Sequence, residues 1–397
     1  MRIVITTLGS LGDVQPFVAL AAELRRHGHH CVFALPLHLL PYAQRLGFEA
    51  RQLGPDLRQL FEQFQRSLFQ GKQIDDQASA YRQAMLVGAP RALRELRALC
   101  AEADLVIGSE IMPLAYIVHE ISGIPFVYVR ASYPRQVAAP DALDEASLAA
   151  INLFRVQLSL PPLSNASLRE RSDYLALFAL SREVLPALPS WPKHFHVTGF
   201  FFLDEEQWQP EPDLVAFLQA GPPPVVISLG STMHDDPAQL TALFLAAIDA
   251  VGCRTVIQHG STGLVKGARL PQAVYAADYI PHAWLFARAA CVVHHGGAGT
   301  SAATFRAGVP TVVIPHAVDE FVFARYAHDL GCASGVFPYQ TLSVNQLSAA
   351  ISSSLTDTRY RAAAAALSKR IQAEQGVQTA RALIEQFAGT VAWRASK

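Results

Sequence analysis

A histidine pair set directly against a glycine cluster is the first arrangement in this chain able to do chemistry: His294-His295-Gly296-Gly297-Ala298-Gly299-Thr300. The apolar run before it, Ala289 to Val293, reads as a buried strand. Ser301 to Ala307 reads as a helix ending near Gly308, and Val309 to Pro315 as the next strand. Glycines at the turn from a parallel strand into a helix expose backbone N–H groups at the positive end of the helix dipole. That environment suits a phosphate. Glycine also lets a ligand approach the backbone, because no Cβ intervenes. An imidazole at the same mouth can donate a hydrogen bond to an anionic oxygen. The plainer alternative is a strand–helix turn with two partly exposed histidines. Gly297, Gly299 and Ala302 also satisfy G-x-G-x-x-A, the dinucleotide fingerprint, which alone is a weak signal.

The second candidate is Asp13, in Leu8-Gly9-Ser10-Leu11-Gly12-Asp13-Val14-Gln15-Pro16, just beyond a short β-rich run at residues 2–7. Open α/β sheets place their ligands at the carboxyl ends of strands. A carboxylate there can take a proton from a hydroxyl. The alternative is an acidic N-cap for a helix after Pro16.

The elements that must position these residues follow an α/β rhythm. After the first strand comes a helix stopping at Gly28, then a strand from Cys31 to Leu35. Residues 50–90 lack a clean period and scatter the aromatic residues Phe61, Phe64, Phe69 and Tyr81, with Met85. Residues 91–100 read as a helix, Asp104 to Gly108 as a strand ending at Ser109-Glu110, Pro113 to Ile121 as a helix and Ile124 to Val129 as a strand. Residues 130–172 are less regular, and the strands Leu175 to Leu180 and His196 to Phe202 close the first half. Prolines crowd 205–224, which reads as an interdomain linker. The pattern then restarts: Val225 to Ser231 echoes Val4 to Ser10, each strand running into Leu-Gly-Ser. Strands Arg254 to Gln258, Ala276 to Ile280, Cys291 to Val293 and Val309 to Ile314 follow, then helices Leu347 to Leu355, Tyr360 to Ile371 and Val377 to Phe387. The expected domains are 1–204, a linker 205–224, a second domain 225–376, and a final helix 377–397 packing near the junction.

Composition bounds the partners. The chain has 397 residues, 51% hydrophobic and 16% charged, with net charge −1. That length favours two cores, and that charge gives no reason to expect a nucleic-acid partner. The five cysteines, at 31, 100, 253, 291 and 332, are scattered without a C-x-x-C and read as reduced core thiols of a cytoplasmic protein. No apolar stretch is long enough to span a membrane, and no signal-peptide layout precedes the first strand, so any membrane contact is expected to be peripheral.

Three motifs in order carry a resemblance: Gly9-Ser10-x-Gly12-Asp13-Val14-Gln15-Pro16, Trp191-Pro192-x-His194-x-His196-Val197-Thr198-Gly199, and Tyr279-Ile280-Pro281-His282 leading into His294 to Pro315. Through them the chain resembles, along nearly its whole length, the UDP-glycosyltransferase superfamily of GT-B glycosyltransferases. The likeness includes bacterial sterol, macrolide and glycopeptide enzymes, and Phe201-Phe202-Leu203-Asp204 adds a look of the sterol branch. The resemblance implies two Rossmann-like doubly wound α/β domains, an acceptor domain first and a nucleotide-sugar domain second, with chemistry in the cleft between them.

By the same resemblance, His295 and the amides of Gly297, Ala298, Gly299 and Thr300 hold the diphosphate, with Ser231 and Gly12 beside it. Tyr279, Ile280 and His282 pack along the nucleobase. Asp319 and Glu320 stand where the family shows Asp-Gln toward sugar hydroxyls, and an ionised Glu cannot donate as an amide can. Where relatives carry a ribose-binding Glu, position 303 is Ala, which leaves UDP and dTDP both open. Asp13 is the implied base, needing no relay from Glu110. Glu110, Met112, Phe64 and Tyr133 are the candidate acceptor contacts.

The implied reaction is inverting transfer of a sugar, glucose from UDP-glucose first, to a hydroxyl of a small lipophilic acceptor such as a sterol, macrolide, polyketide or lipid. A dTDP-deoxysugar donor is the alternative. No D-x-D occurs, which fits leaving-group stabilisation without a metal or other cofactor. From another class, an NAD-dependent oxidoreductase would want an acidic residue roughly 20 positions after the fingerprint. Asp319 meets that spacing only loosely. A non-catalytic nucleotide-sugar-binding homologue is the remaining rival.

Overall fold

The computed structural model describes residues 1–56, 74–134, 137, 145–163, 174–205, 208–230, 236–316 and 318–390. The chain divides into two compact units. One is built from Met1–Leu203 with the C-terminal segment from Glu374, the other from Asp204–Ala373.

The first unit carries a parallel sheet of seven strands in the order β3-β2-β1-β4-β5-β6-β7. The strands are β1 (Arg2–Thr6), β2 (His30–Leu35), β3 (Glu49–Gln52), β4 (Leu105–Ser109), β5 (Phe126–Arg130), β6 (Leu175–Phe178) and β7 (Phe195–Val197). The central strands are apolar without alternation because helices cover both faces: Ile3, Val4, Ile5, Leu105, Val106 and Ile107 are all fully buried. The strand order reverses direction between β1 and β4. There Thr7 Oγ1–H donates to Ser109 Oγ at 2.9 Å. Such a reversal opens a crevice at the carboxyl ends of the strands.

Helices α1 (Leu11–Arg26), α2 (Leu40–Arg45), α3 (Ile74–Cys100), α4 (Leu114–Ser122) and α5 (Glu145–Gln157) belong to this unit. The 27-residue α3 holds Pro90 within it and replaces the shorter helix expected at 91–100. β3, with the sequence EARQ, carries no apolar run, so pattern alone passes over it.

The second unit repeats the plan with six parallel strands ordered β10-β9-β8-β11-β12-β13. They are β8 (Val225–Ser228), β9 (Thr255–Gln258), β10 (Val274–Ala277), β11 (Cys291–His294), β12 (Thr311–Val313) and β13 (Ala333–Val336). Its reversal lies between β8 and β11, where Ser228 pairs with His294. The helices are α6 (Pro212–Gln219), α7 (Pro237–Val251), α8 (His282–Phe286), α9 (Ala298–Ala307), α10 (Val318–Asp329), α11 (Val344–Thr356) and α12 (Thr358–Ala373). Part of the proline-rich stretch is core: Leu214 of α6 is buried with Ile280, Leu285 and Phe286.

The chain then re-enters the first unit as α13 (Gly376–Thr390), whose Ala380 and Ile384 join the core of α1 and the first sheet. A Cβ at Gly376 would fall 2.3 Å from the Phe200 carbonyl oxygen, so only glycine lets α13 begin there. The cysteines carry no disulfide, and burial pushes the Cys31, Cys100 and Cys291 thiols up to about 12. Among the described residues no helix is long and apolar enough to cross a membrane.

Candidate active site

At the carboxyl end of β1 the chain turns through Gly9 into α1. The helix starts at Leu11 rather than after Pro16, so Asp13 stands in its first turn and is not the N-cap. Ser10 holds that place. Asp13 Oδ2 accepts from the Ser10 backbone N–H at 2.6 Å and from the Ser10 hydroxyl at 2.9 Å. This satisfies a donor that a helix start leaves open. Pro16 is tolerated because it sits close to the helix start, where it removes a single N–H partner. Gly9, at φ +97°, is needed because a Cβ there would meet Asp13 Oδ2 at 2.3 Å. The carboxylate is half-buried. It both caps α1 and lies at the crevice of the first sheet.

Glu110 and Met112 come together at the end of β4. They line a pocket with Ser109, Pro113, Tyr116, Ile117, Phe126, Tyr128, Ile151 and Leu163. Its cavity volume is about 20 Å³, room for a water molecule. Glu110 Oε1 accepts from the Ser132 backbone N–H at 3.1 Å. Tyr133 is half-buried, and its carbonyl accepts from Arg130 Nη2 at 3.4 Å; it is not part of the pocket wall. Gly12 is exposed on α1. Phe64 and Ser231 lie outside the described residues.

In the second unit the two histidines are not surface groups. His294 and His295 are 1% and 9% exposed, against the plainer expectation of a partly exposed pair. The ring of His295 occupies a slot between two glycines. A Cβ at Gly297 would lie 2.3 Å from its Nε2, and one at Gly230 would lie 2.6 Å from its Cε1. Gly296, at φ +96°, admits the Glu320 carbonyl, which a Cβ would meet at 2.7 Å. A Cβ on Gly299 would touch nothing within 4 Å. The glycines therefore divide their work: three make room for protein atoms, and Gly299 faces open space.

Helix α9 begins at Ala298 with Gly297 as N-cap and no side-chain cap. The N–H of Ser301 bonds the Gly297 carbonyl at 2.9 Å. The amides of Ala298, Gly299 and Thr300 precede the first intrahelical bond and point outward at the positive helix end. His295 Nδ1 is buried and has no hydrogen-bond partner among the described residues. Burial pulls the His295 imidazole down to about 4, partly offset by the nearby Glu320 carboxylate. His295 is thus neutral at pH 7 and offers one N–H donor. His294 Nδ1 accepts from the Gly296 N–H at 3.1 Å. Its own ring is held well below the usual range by burial.

Glu320 is 7% exposed, and its Oε2 accepts from the His316 backbone N–H at 2.6 Å. The His316 ring stacks on Tyr339 at 4.6 Å and is pulled by burial to about 4. Asp319 is the second residue of α10. Tyr279 is half-buried and its hydroxyl donates to Glu205 Oε1. Ile280 is 1% exposed within the core, so it offers a ligand no side chain. His282 opens α8, half-buried, stacked on Phe286 at 4.5 Å and drawn by burial to about 4.

Sequence reasoning missed Ser228, Gly230 and Gln258. The signal was present in two of them: Ser228 and Gln258 are polar residues closing the apolar runs of β8 and β9, at the ligand end of the sheet. Among the described residues no group of three or more His, Cys, Asp or Glu is arranged to hold a metal ion.

Comparison with known proteins bears on this geometry. Residues 3–138 match the glycosyltransferase family 28 N-terminal domain, and residues 242–384 match the erythromycin biosynthesis protein CIII-like C-terminal domain. The chain is 31% identical to O-mycaminosyltylonolide 6-deoxyallosyltransferase of Streptomyces fradiae, over 98% of each chain. It is 28% identical to a sterol 3-beta-glucosyltransferase of Komagataella phaffii over 96% of its own length, and spans 34% of that longer protein. Its fold superposes on the glycosyltransferase VinC, solved with dTDP, with a TM-score of 0.68 at 20% identity, covering 98% of this chain and 100% of that one. Two parallel sheets that each reverse at a crevice, an uncapped helix start beside a buried imidazole, and full-length identity at this level lead to one conclusion. The chain belongs to the GT-B glycosyltransferases of the family 28 and EryCIII-like group, and it is a glycosyltransferase.

Proposed function

We propose that this enzyme transfers a hexosyl group from a nucleoside-diphosphate sugar to a hydroxyl of a small lipophilic acceptor, with inversion and without a metal ion. The observation that carries the reading is the neutral His295 ring seated between Gly230 and Gly297, beside the uncapped first turn of α9. As the glycosidic bond to the donor breaks, the diphosphate gains negative charge. The His295 N–H and the amides of Ala298, Gly299 and Thr300 supply preorganised donors for it. The anomeric carbon develops oxocarbenium character, and Asp13 takes the acceptor's proton as attack proceeds. One displacement inverts the anomeric centre.

For the donor, UDP-glucose is the first reading, supported by similarity to a sterol 3-beta-glucosyltransferase. A dTDP-deoxysugar is the second, favoured by Ala303 and by the deoxyallosyltransferase relative. The lipophilic acceptor is supported by both relatives' names and not by the narrow pocket at Glu110.

The test is calorimetric titration of the protein with UDP, dTDP and NAD, repeated with His295→Ala and with EDTA. The reading expects UDP or dTDP to bind, the variant to lose that binding, and EDTA to change nothing. Binding of NAD alone would sink it. Product anomeric configuration, read by NMR after transfer to a panel of sterols and macrolides, decides inversion.

A further inference from the structure

Three side chains at the carboxyl end of the second sheet form a one-way hydrogen-bond chain. Gln258, 7% exposed, closes β9, and Ser228, 2% exposed, closes β8 beside it in register. The Gln258 amide nitrogen donates to the Ile280 carbonyl at 2.9 Å. That contact sets which way the amide points, since a flipped amide would bring two carbonyl oxygens together. Gln258 Oε1 therefore faces Ser228 and accepts its hydroxyl proton at 3.2 Å. With that proton committed, the Ser228 oxygen can only accept from His282 Nε2, which lies 3.3 Å away.

The geometry points to Gln258 as a positioning residue for nucleotide binding: through Ser228 it holds His282 in the Nε2–H tautomer, and through the Ile280 carbonyl it anchors the segment Tyr279–His282. His282 Nδ1 is then left as a lone-pair acceptor, with no hydrogen-bond partner among the described residues. It is suited to a nucleoside N–H or ribose O–H and unable to donate to a carbonyl. Stacking on Phe286 fixes the plane of the ring, and burial keeps it neutral near pH 7. Gln258 itself is buried behind this segment and touches no ligand. The inference rests on the reading above that residues 279–282 face the nucleotide.

The experiment uses full-length protein labelled with ¹⁵N-histidine, with His282→Gln identifying the resonance. Wild type is expected to show His282 as the Nε2–H tautomer. Gln258→Leu and Ser228→Ala are expected to give a mixture of tautomers. In both variants UDP or dTDP affinity should fall about tenfold, while pyrophosphate affinity and melting temperature stay near wild type. Gln258→Glu keeps the acceptor for Ser228 and loses the donor to Ile280, so it should retain the tautomer and recover part of the affinity. An Nδ1–H tautomer in wild type, or an equal loss of pyrophosphate and nucleotide binding, would overturn the assignment. If wild type binds pyrophosphate but no nucleotide, the nucleotide reading fails and the assignment falls with it, whatever the tautomer.

Discussion

Gly297 and His295 are locked together: a Cβ on the glycine would lie 2.3 Å from Nε2 of the imidazole two residues earlier. The glycine thus houses the His295 ring before it serves any ligand. Gly297→Ala is expected to displace that ring and weaken nucleotide-sugar binding by about tenfold or more. Gly299→Ala separates the two roles. Its Cβ meets no protein atom, so it should leave His295 in place and the melting temperature unchanged or slightly raised. It should still weaken pyrophosphate binding if phosphate occupies the space it faces. Calorimetry and thermal melting on the pair check both statements. Tight pyrophosphate binding by the Gly299 variant would place the anion elsewhere.

Asp13→Asn should lower kcat by about 10²–10⁴-fold with nucleotide affinity nearly unchanged. The amide oxygen can still accept from the Ser10 N–H, so α1 keeps its cap. Ser10→Ala is the control for a purely structural role. It removes the hydroxyl donor to Asp13 and should change stability by about 1 kcal/mol or less, with kcat of the same order as wild type. Steady-state kinetics on both variants decides; full activity in the Asn variant would remove Asp13 as base.

Burial holds His282, His295 and His316 near 4, against about 6.5 in an unfolded chain. The folded protein therefore binds fewer protons than the unfolded one between those values. The sign follows: the penalty from these groups is absent well above about pH 6.5, and stability falls as pH drops through the window toward about 4, where their effect levels off. Melting temperature measured across this range should decline on acidification, and His316→Gln should flatten the slope by up to about one proton. A slope unchanged in that variant would show that His316 titrates normally.

Arg155 is fully buried and forks onto Glu120, with Nη2 to Oε1 at 3.0 Å and a second bond from Nη1 to Oε2. Its Nε also donates to the Pro161 carbonyl at 2.9 Å, tying the chain after α5 to α4. Removing one partner strands a buried charge, so Glu120→Ala should destabilise the protein by about 3 kcal/mol. Replacing both, Arg155→Met with Glu120→Leu, should recover much of that loss. Urea unfolding of the single and double variants measures it, and a neutral single variant would mean that the guanidinium finds water.

The sequence by itself determined the α/β class, the duplicated plan and the chemistry on offer. Short unbroken apolar runs alternating with helical patterns fit central parallel strands. Polar residues closing such runs mark the ligand end of a sheet. A His-His-Gly-Gly-Ala-Gly string at a strand–helix turn offers an imidazole and uncapped amides, the donors that suit an anion. What only the tertiary structure decided were contacts between residues far apart in the chain. The slot for His295 is made by Gly230, just past the end of β8, and Gly297, the N-cap of α9, and no local pattern reports that pairing. The start of α1 at Leu11, ahead of Pro16 rather than after it, goes with the Asp13 carboxylate turning back onto Ser10. The polar strand β3 exists because β2 offers it a ladder, and α13 ends on the first unit because Gly376 can lie against Phe200. Burial set the histidines' charge, and burial is a property of the packed chain rather than of any stretch of it.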